Sequence, residues 1–173
     1  LVLTSIITDV LCYGDSTGSI SINLENSTPP ILYSWSYGEG TVTNDSLPAG
    51  EYSVSITDNA GCFITNSYVV SQPDLLIIHV DSITPVMDFP SGAIEVTVSG
   101  GVMPYDFQWN APDGTVLVQE DLADLFVPGL YTLVVTDDNQ CTSTIVAEVE
   151  IDLAVDPGHT FKPLKVYPVP ATD

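Results

Sequence analysis

One stretch recurs in this chain and constrains its fold more than any other feature. The first copy covers residues 47–62, LPAGEYSVSITDNAGC, and the second covers residues 126–141, FVPGLYTLVVTDDNQC. In both copies a turn with Pro and Gly opens a run of alternating residues, and a Thr-Asp pair and a short turn then lead to Cys. Strict alternation between turn residues indicates a half-buried strand that enters a hairpin. The chain is therefore predicted to contain two copies of one β domain.

The repeat extends upstream of that stretch. Residues 18–22 (GSISI) match residues 92–96 (GAIEV), and residues 30–35 (PILYSW) match residues 104–109 (PYDFQW). The second copy is longer between its Trp strand and its Tyr strand, which places an insertion around residues 111–124. Loops accept such insertions at a small entropic cost, so the two copies can share one fold.

Two aromatic positions in each copy indicate the type of sandwich. Tyr52 and Tyr131 each stand just after a turn with Pro and Gly, which resembles the tyrosine corner of immunoglobulin-like domains. Trp35 and Trp109 belong to an earlier strand of each copy. We expect the Trp and the Tyr of each copy to meet across the core of the sandwich.

The composition agrees with strands alone. No stretch sustains the 3.6-residue period of an amphipathic helix, and Val, Ile and Thr are frequent. We therefore predict an all-β chain with two tandem immunoglobulin-like (PKD-like) β-sandwich domains, at residues 1–72 and 73–153. Residues 154–173 are rich in Pro and are predicted to form an irregular connector. The longest apolar run, residues 75–78, is far too short to span a bilayer.

The charge of the chain excludes several kinds of partner. The formal net charge is −21, and residues 1–161 contain no Lys or Arg. Nucleic acids and anionic membranes require basic side chains at the surface, so neither is expected as a partner. Repulsion among so many carboxylates opposes compaction unless salt or a divalent cation screens it.

No pattern in the sequence indicates catalysis. The two histidines, His79 and His159, do not stand near a Ser or Cys in a pattern that would activate a nucleophile. Neither a phosphate-binding Gly loop nor zinc-ligand spacing occurs in the sequence. We predict a protein that is not an enzyme.

Calcium is the one cofactor that the carboxylates suggest. Asp58, Asp137 and Asp138 lie at the tips of the last predicted hairpins, and Glu120 and Asp121 lie in the inserted region. Oxygen ligands that converge from loops suit Ca²⁺. The alternative is that Asp is a good turn former and binds no cation here.

The residues CYGDSTGSISI, TPPILYSWS and LPAGEYSVSITDNAGCFI, in that order, are similar to the SprB-type repeat of Bacteroidota surface adhesins. Residues 3–72 carry the full pattern, and residues 74–151 carry it without the early Cys. The ending VYPVPATD resembles the start of a type IX secretion sorting domain, with Val169 where that motif has Asn. The resemblance implies a protein that is exported by type IX secretion to the cell surface and serves adhesion or assembly.

The same resemblance implies O-glycosylation at Asp-Ser sequences. Ser16, Ser46 and Ser82 each follow an Asp, as in the Asp-Ser/Thr-apolar pattern that Bacteroidota glycosylate. Asp-Ser is also a common turn pair, which is the alternative reading of all three positions.

The three cysteines require a pairing that leaves one of them over. In an immunoglobulin-like arrangement Cys12 and Cys62 fall at opposite poles, about 20 Å apart along a strand of about seven residues, whereas a disulfide needs Cα atoms within about 7 Å. We therefore predict a Cys12–Cys141 bond between the two repeats, with Cys62 pairing to an upstream repeat or a neighbouring subunit. The alternative is a Cys12–Cys62 bond within the first repeat.

Two functional classes remain open from the sequence. One is a structural or adhesive module in a stalk or surface fibre, whose partners are neighbouring repeats or other copies of the protein. The other is a module that binds a surface glycan or a calcium-dependent ligand. Tyr13, Tyr37 and Tyr105 are the candidate aromatics for stacking on a sugar.

Overall fold

A computed structural model describes residues 2–38, 42–87 and 92–152 and the short strand Tyr167–Pro168. These residues form strands and turns, which confirms the predicted all-β class, and none of them belongs to a helix that is long and apolar enough to cross a membrane. The chain divides into two compact units, Leu1–Asp74 and Leu75–Asp173.

Each unit contains two antiparallel sheets. The first unit has two sheets of three strands, in the orders β1-β2-β4 and β3-β5-β6. Its strands are β1 (Val2–Thr8), β2 (Gly18–Glu25), β3 (Leu32–Trp35), β4 (Thr43–Leu47), β5 (Gly50–Thr57) and β6 (Phe63–Val70). The chain crosses from the first sheet to the second between β2 and β3, returns to the first for β4, and crosses again to β5 and β6. The two sheets form an immunoglobulin-like sandwich.

The second unit repeats this order with two additions. Its sheets run β11-β8-β7 and β10-β9-β12-β13-β14. The strands are β7 (Ile77–Thr84), β8 (Gly92–Ser99), β9 (Asp106–Asn110), β10 (Val116–Leu117), β11 (Leu122–Leu125), β12 (Gly129–Thr136), β13 (Thr142–Val149) and β14 (Tyr167–Pro168). β10 arises from the inserted region. Within the predicted connector, Tyr167 and Pro168 form β14 and pair with β13. The other residues from 154 to 173 lie outside the described ranges, so the connector stays a prediction there.

The equivalence of the units extends to single peptide bonds and glycines. The cis bonds Pro29-Pro30 and Met103-Pro104 stand at matching positions before β3 and β9. Gly18 and Gly92 open β2 and β8, where a Cβ would come within 2.8 Å of the Leu47 carbonyl oxygen and within 2.9 Å of the Leu125 Cβ, respectively. A side chain at either position would therefore collide with the neighbouring strand β4 or β11.

The buried positions follow the alternation of the repeated stretch. In β5 the buried side chains are Tyr52, Val54 and Ile56, and in β12 they are Tyr131, Leu133 and Val135. The residues between these positions face the outer side of the sheet, since successive side chains of a strand point to opposite faces. Burial of these apolar faces is the main stabilising contribution in each unit.

The expected contact of Trp and Tyr across the core is wrong. Trp35 and Tyr52 belong to adjacent strands of one sheet, β3 and β5, and the same holds for Trp109 and Tyr131 in β9 and β12. Trp109 is fully buried and donates a hydrogen bond from Nε1 to the Glu120 carbonyl oxygen at 3.1 Å. The sequence does not show which strands share a sheet, because that depends on which strands, often distant in the chain, pair through hydrogen bonds.

The two tyrosine corners are present. The hydroxyl of Tyr52 donates to the Pro48 carbonyl oxygen at 2.6 Å, and that of Tyr131 donates to the Val127 carbonyl oxygen at 2.7 Å. Each bond ties the start of a strand to the turn four residues before it. Burial raises the pKa of the Tyr52 and Tyr131 hydroxyls above the usual range. Electrostatic repulsion from Tyr37 at Tyr52 and from Asp113 at Tyr131 raises these pKa values further, by a smaller amount.

We expect Tyr52→Phe and Tyr131→Phe each to lower the free energy of unfolding of its own unit by about 1–2 kcal/mol, because a half-buried carbonyl oxygen loses its hydrogen-bond donor. The measurement is chemical denaturation followed by a probe in each unit. Tyr13→Phe is the control, since Tyr13 is exposed, and it should leave both transitions unchanged. Equal effects of all three substitutions would contradict a stabilising role of the corners.

Candidate functional site

The carboxylate of Asp58 lies at the tip of the β5–β6 hairpin and holds two backbone segments together. Its Oδ1 accepts a hydrogen bond from the Cys62 amide at 2.8 Å, and its Oδ2 accepts one from the Thr28 amide at 3.1 Å. The Asn59 amide donates to the Thr28 carbonyl oxygen at 2.9 Å beside it. Since Thr28 belongs to the loop between β2 and β3, the carboxylate ties the last hairpin to the loop that links the two sheets.

Asp137 makes the same set of contacts in the second unit. Its Oδ1 accepts from the Cys141 amide at 2.8 Å, and its Oδ2 accepts from the Val102 amide at 2.9 Å. The Asp138 amide donates to the Val102 carbonyl oxygen at 2.9 Å. We call this arrangement of one carboxylate and two amides the aspartate clasp, at Asp58 and at Asp137. Both aspartates are buried.

The charge of the clasp is stabilised by the amides. Burial of the Asp58 carboxyl would raise its pKa, but hydrogen bonds from the backbone of Cys62, Thr28 and Ala60 outweigh that effect. The pKa of Asp58 therefore lies below its usual range. Hydrogen bonds to the ionised form of a carboxyl group favour that form, so the clasp is built around an anion.

The residues predicted to bind calcium differ in their exposure and in their hydrogen bonds. Asp121 accepts the Val96 amide through Oδ1 at 2.9 Å, and Asp138 and Glu120 have exposed side chains. In the described ranges, no group of three or more His, Cys, Asp or Glu is arranged to hold a metal ion. The clasp aspartates direct both oxygens at amides, which leaves fewer lone pairs for a cation. Calcium binding at Asp58, Asp137, Asp138, Glu120 or Asp121 stays a prediction.

The three cysteines differ in state. Cys12 and Cys141 are disulfide-bonded, whereas Cys62 is free and exposed. The alternative of a Cys12–Cys62 bond is therefore wrong. The amides of Cys62 and Cys141 are both held by an aspartate clasp, so the clasp positions the residue that carries the thiol or the disulfide.

The serines expected to carry sugars lie in different surroundings. Ser16 is exposed before β2 and Ser46 is exposed in β4, whereas Ser82 is half-buried in β7 and donates from Oγ to Glu95 Oε2 at 2.9 Å. Glycosylation of Ser16, Ser46 and Ser82 stays a prediction.

The candidate aromatics for sugar stacking are not equally accessible. Tyr13 and Tyr37 are exposed, and the ring of Tyr37 meets that of Tyr52 edge-on at 6.0 Å between centroids. Tyr105 is half-buried, and its hydroxyl donates to the Gly100 carbonyl oxygen. Tyr13 and Tyr37 therefore remain the candidates with an open ring face.

Sequence reasoning missed a groove on the outer face of β3-β5-β6. It has a volume of about 380 Å³ and is lined by Ser36, Glu51, Ser53, Ser67 and Val69 and by Tyr52 and Tyr68, whose side chains are buried in the core. The pairing of Ser53 with Ser67 sets hydroxyls side by side on this face. The signal in the sequence was the alternation of Ser in SWS and SVS, which also fits any solvent-exposed strand face.

The comparisons with known proteins agree with a repeat of the surface-protein type. The model of the SprB repeat family matches residues 4–40 and 88–114, one segment in each unit. SprB repeats occur in cell-surface proteins. No curated protein matches the chain.

Three solved structures are similar to the chain at low identity. The C-terminal 282-residue fragment of intimin, in complex with the translocated intimin receptor (Tir) intimin-binding domain, is 15% identical, with 87% of this chain and 64% of that fragment covered and a TM-score of 0.47. The amphioxus IgVJ-C2 molecule is 14% identical (81% and 99% covered, TM-score 0.42). IG1+IG2 of DIP-gamma is 12% identical (86% and 97% covered, TM-score 0.44). The chain thus spans less than two thirds of the intimin fragment.

We expect Asp137→Asn to lower the free energy of unfolding of the second unit by about 2 kcal/mol, because an amide nitrogen then faces the Val102 amide in place of a charged acceptor. Asp138→Asn is the matched control, since its exposed side chain should change stability by less than about 0.5 kcal/mol. Calorimetric or denaturant unfolding of both variants tests this difference. Similar losses in the two variants would contradict the clasp.

The first unit adds a pH dependence to the same test. Because the pKa of Asp58 is lowered in the folded state, its contribution is present above the unfolded value of about 3.9 and is lost as pH falls through the folded pKa. Asp58→Asn should therefore make the stability of this unit less dependent on pH below about 4. An unchanged acid profile would show that Asp58 titrates alike in both states.

Proposed function

We propose that the chain is a non-catalytic structural or adhesive module of a secreted cell-surface protein, a part of a stalk or surface fibre exported by type IX secretion. One observation carries the proposal: what the two units have in common is their scaffold. The tyrosine corner, the aspartate clasp and the Gly at the start of the second strand occur in both units. The groove of the first unit, called the hydroxyl groove for its Ser36, Ser53 and Ser67, is not repeated, because the second unit has Asn110, Thr132 and Val146 at the matching positions. Repetition of the scaffold without repetition of a site is expected of a spacer.

We also propose that the disulfide joins the repeats. Cys12 belongs to the first unit and Cys141 to the second, and the free state of Cys62 supports their pairing. Such a bond would carry tension past β2 to β12, since a pull on the ends would pass from the segment before Cys12 through the covalent link to the segment after Cys141. The module would then resist extension even where a single sandwich unfolds.

Single-molecule force spectroscopy tests this role. In the oxidised chain the residues between Cys12 and Cys141 should be shielded from extension, and reduction should lengthen the unfolded contour by roughly 45 nm at about 3.5 Å per residue. Cys12→Ser should reproduce the reduced behaviour without reductant. Equal contour lengths in the oxidised and reduced chains would contradict a bond between Cys12 and Cys141.

The hydroxyl groove supports a second candidate function, the binding of a glycan. Serine hydroxyls and the Glu51 carboxylate supply the hydrogen-bonding groups that a sugar needs, and the groove has the volume of a small-ligand site. A glycan-binding groove in the first repeat would make the first repeat the adhesive part of the module.

A glycan array followed by calorimetry, with and without Ca²⁺, separates the two functions. The structural module predicts no saturable binding in either condition. Binding that is lost in Ser53→Ala/Ser67→Ala but retained in Ser55→Ala/Thr65→Ala, on the same face outside the groove, would favour the glycan-binding module. Binding that requires Ca²⁺ would favour the calcium-dependent form of that module.

A further inference from the structure

The strand β1 has one edge that no described residue covers. Among the described residues β1 pairs with β2 alone, over seven consecutive residues and without a register shift. The strand, VLTSIIT, contains no charged residue, no Pro and no Gly. Natural sheets protect exposed edges with charges, Pro, bulges or short strands, because an unprotected edge pairs with other strands. β1 has none of these protections.

The equivalent edge of the second unit is protected. β7 carries a β-bulge between Val80 and Ser82, and the extra residue is Asp81. Its carboxylate accepts a hydrogen bond from Thr97 Oγ1 at 2.5 Å and lies 3.6 Å from His79 Nε2. A bulge and a charge at the same point of an edge oppose the addition of a strand. The two units therefore share a scaffold but differ at this edge.

The core-facing side of β1 is also uncovered. Ile7 pairs with the fully buried Ile20 and so lies on the face of the sheet that points to the core, yet it is 43% exposed. In the second unit Ile83 pairs with the fully buried Ile94 in the same way and is half-buried. Ser5, two residues before Ile7, is exposed on the same face. Apolar surface at this edge of the sandwich is thus free for a partner to cover.

The other long edge strand of the first unit is closed by a side chain. β6 is the last strand of β3-β5-β6 in the described ranges, and Asn66 Oδ1 accepts the Ser67 amide at 3.0 Å. A polar side chain that satisfies an amide of an edge strand competes with a partner strand for that amide. β3 has only four residues, and β4 carries Asp45 and a register shift where it pairs with β2. β1 is therefore the edge of the first unit that is open to a strand.

We propose that β1 pairs with β1 of a second copy of this chain, antiparallel about a twofold axis at Ser5. This register pairs all seven residues of the strand, since every residue from Val2 to Thr8 then has one opposite. On the core-facing side it sets Leu3 opposite Ile7 at both ends of the pair, so the exposed Ile7 gains an apolar neighbour. The pairing joins two sheets of three strands into one sheet of six.

The charge of the chain favours this partner. Each copy has a formal net charge of −21, so repulsion opposes a contact between two copies that brings carboxylates together. Residues 1–8 contain none of the 23 Asp and Glu, so two copies can meet through β1 without facing carboxylates in the pair. Because a twofold contact uses the same surface of both copies, the pairing closes at a dimer. The proposal names a partner for the stalk or fibre role and rests on that role for its place in the protein's function.

Sedimentation of the full chain over a range of concentrations tests the proposal. The chain carries Cys62→Ser, so that the free, exposed thiol cannot link copies. In about 0.15 M salt the Debye length is about 8 Å, which screens distant carboxylates more than residues that face each other across two strands. A monomer–dimer equilibrium is expected. A chain that stays monomeric up to about 1 mM, or that grows beyond a dimer, would overturn the pairing.

Two charge variants at the twofold axis identify the register. Ser5→Lys and Ser5→Glu each set like charges directly opposite in the dimer and should weaken dimerisation about fivefold or more, whereas an equal mixture of the two should restore it. Ser5→Lys also makes the net charge less negative, so a general effect of charge would strengthen association instead. Asn23→Lys is the matched control, since it makes the same change of charge at an exposed position of β2, opposite Thr4, and should not weaken dimerisation.

Circular dichroism and thermal unfolding establish that both units are folded in each variant. Dimers that form equally well with Ser5→Lys, or that do not recover in the mixture, would contradict pairing about Ser5. The force measurement follows the disulfide and the glycan array follows the hydroxyl groove, so a failure of this dimer is distinguishable from a failure of the structural role.

Discussion

Each unit of this protein depends on a buried carboxylate that accepts two backbone amides. Asp58 and Asp137 bind the hairpin between the last two strands of the repeat to the loop between its second and third strands. That loop crosses from one sheet to the other, so the clasp holds together elements that the two sheets alone would leave separate. The tyrosine corner performs a similar task at the start of the same strand. The two devices together fix both ends of β5 and of β12.

These devices matter because charge pairs contribute little to the fold. In the described part of the chain the one ion pair joins His79 Nε2 to Asp81 Oδ1 at 3.6 Å, with both side chains exposed. Exposed pairs of this kind contribute little to stability. Cohesion must come from apolar burial and from backbone hydrogen bonds, including those that carboxylates accept. In an acidic chain with few basic side chains, aspartates can still stabilise the fold by accepting hydrogen bonds from backbone amides, which every strand and loop supplies.

The repeated architecture separates stability from recognition. The corner, the clasp and the buried alternation are the same in both units, while the outer surfaces differ. The first unit presents a groove of hydroxyls and an edge closed by Asn66, and the second presents an edge that receives a strand. One scaffold thus carries two different surfaces, which is a general property of immunoglobulin-like folds.

The sequence by itself determined the strands, the repeat and the tyrosine corners, because alternation and turn residues act over a few neighbouring positions. Tyr52 and Tyr131 could be assigned to their corners for that reason, and the all-β class followed from the same patterns. The tertiary structure decided that Trp109 shares a sheet with Tyr131, that Asp58 and Asp137 receive amides from a distant loop, and that Tyr167 lies along β13. Each of these depends on which distant segments come together, and a local pattern is the same whether a strand meets a neighbour, a loop or solvent.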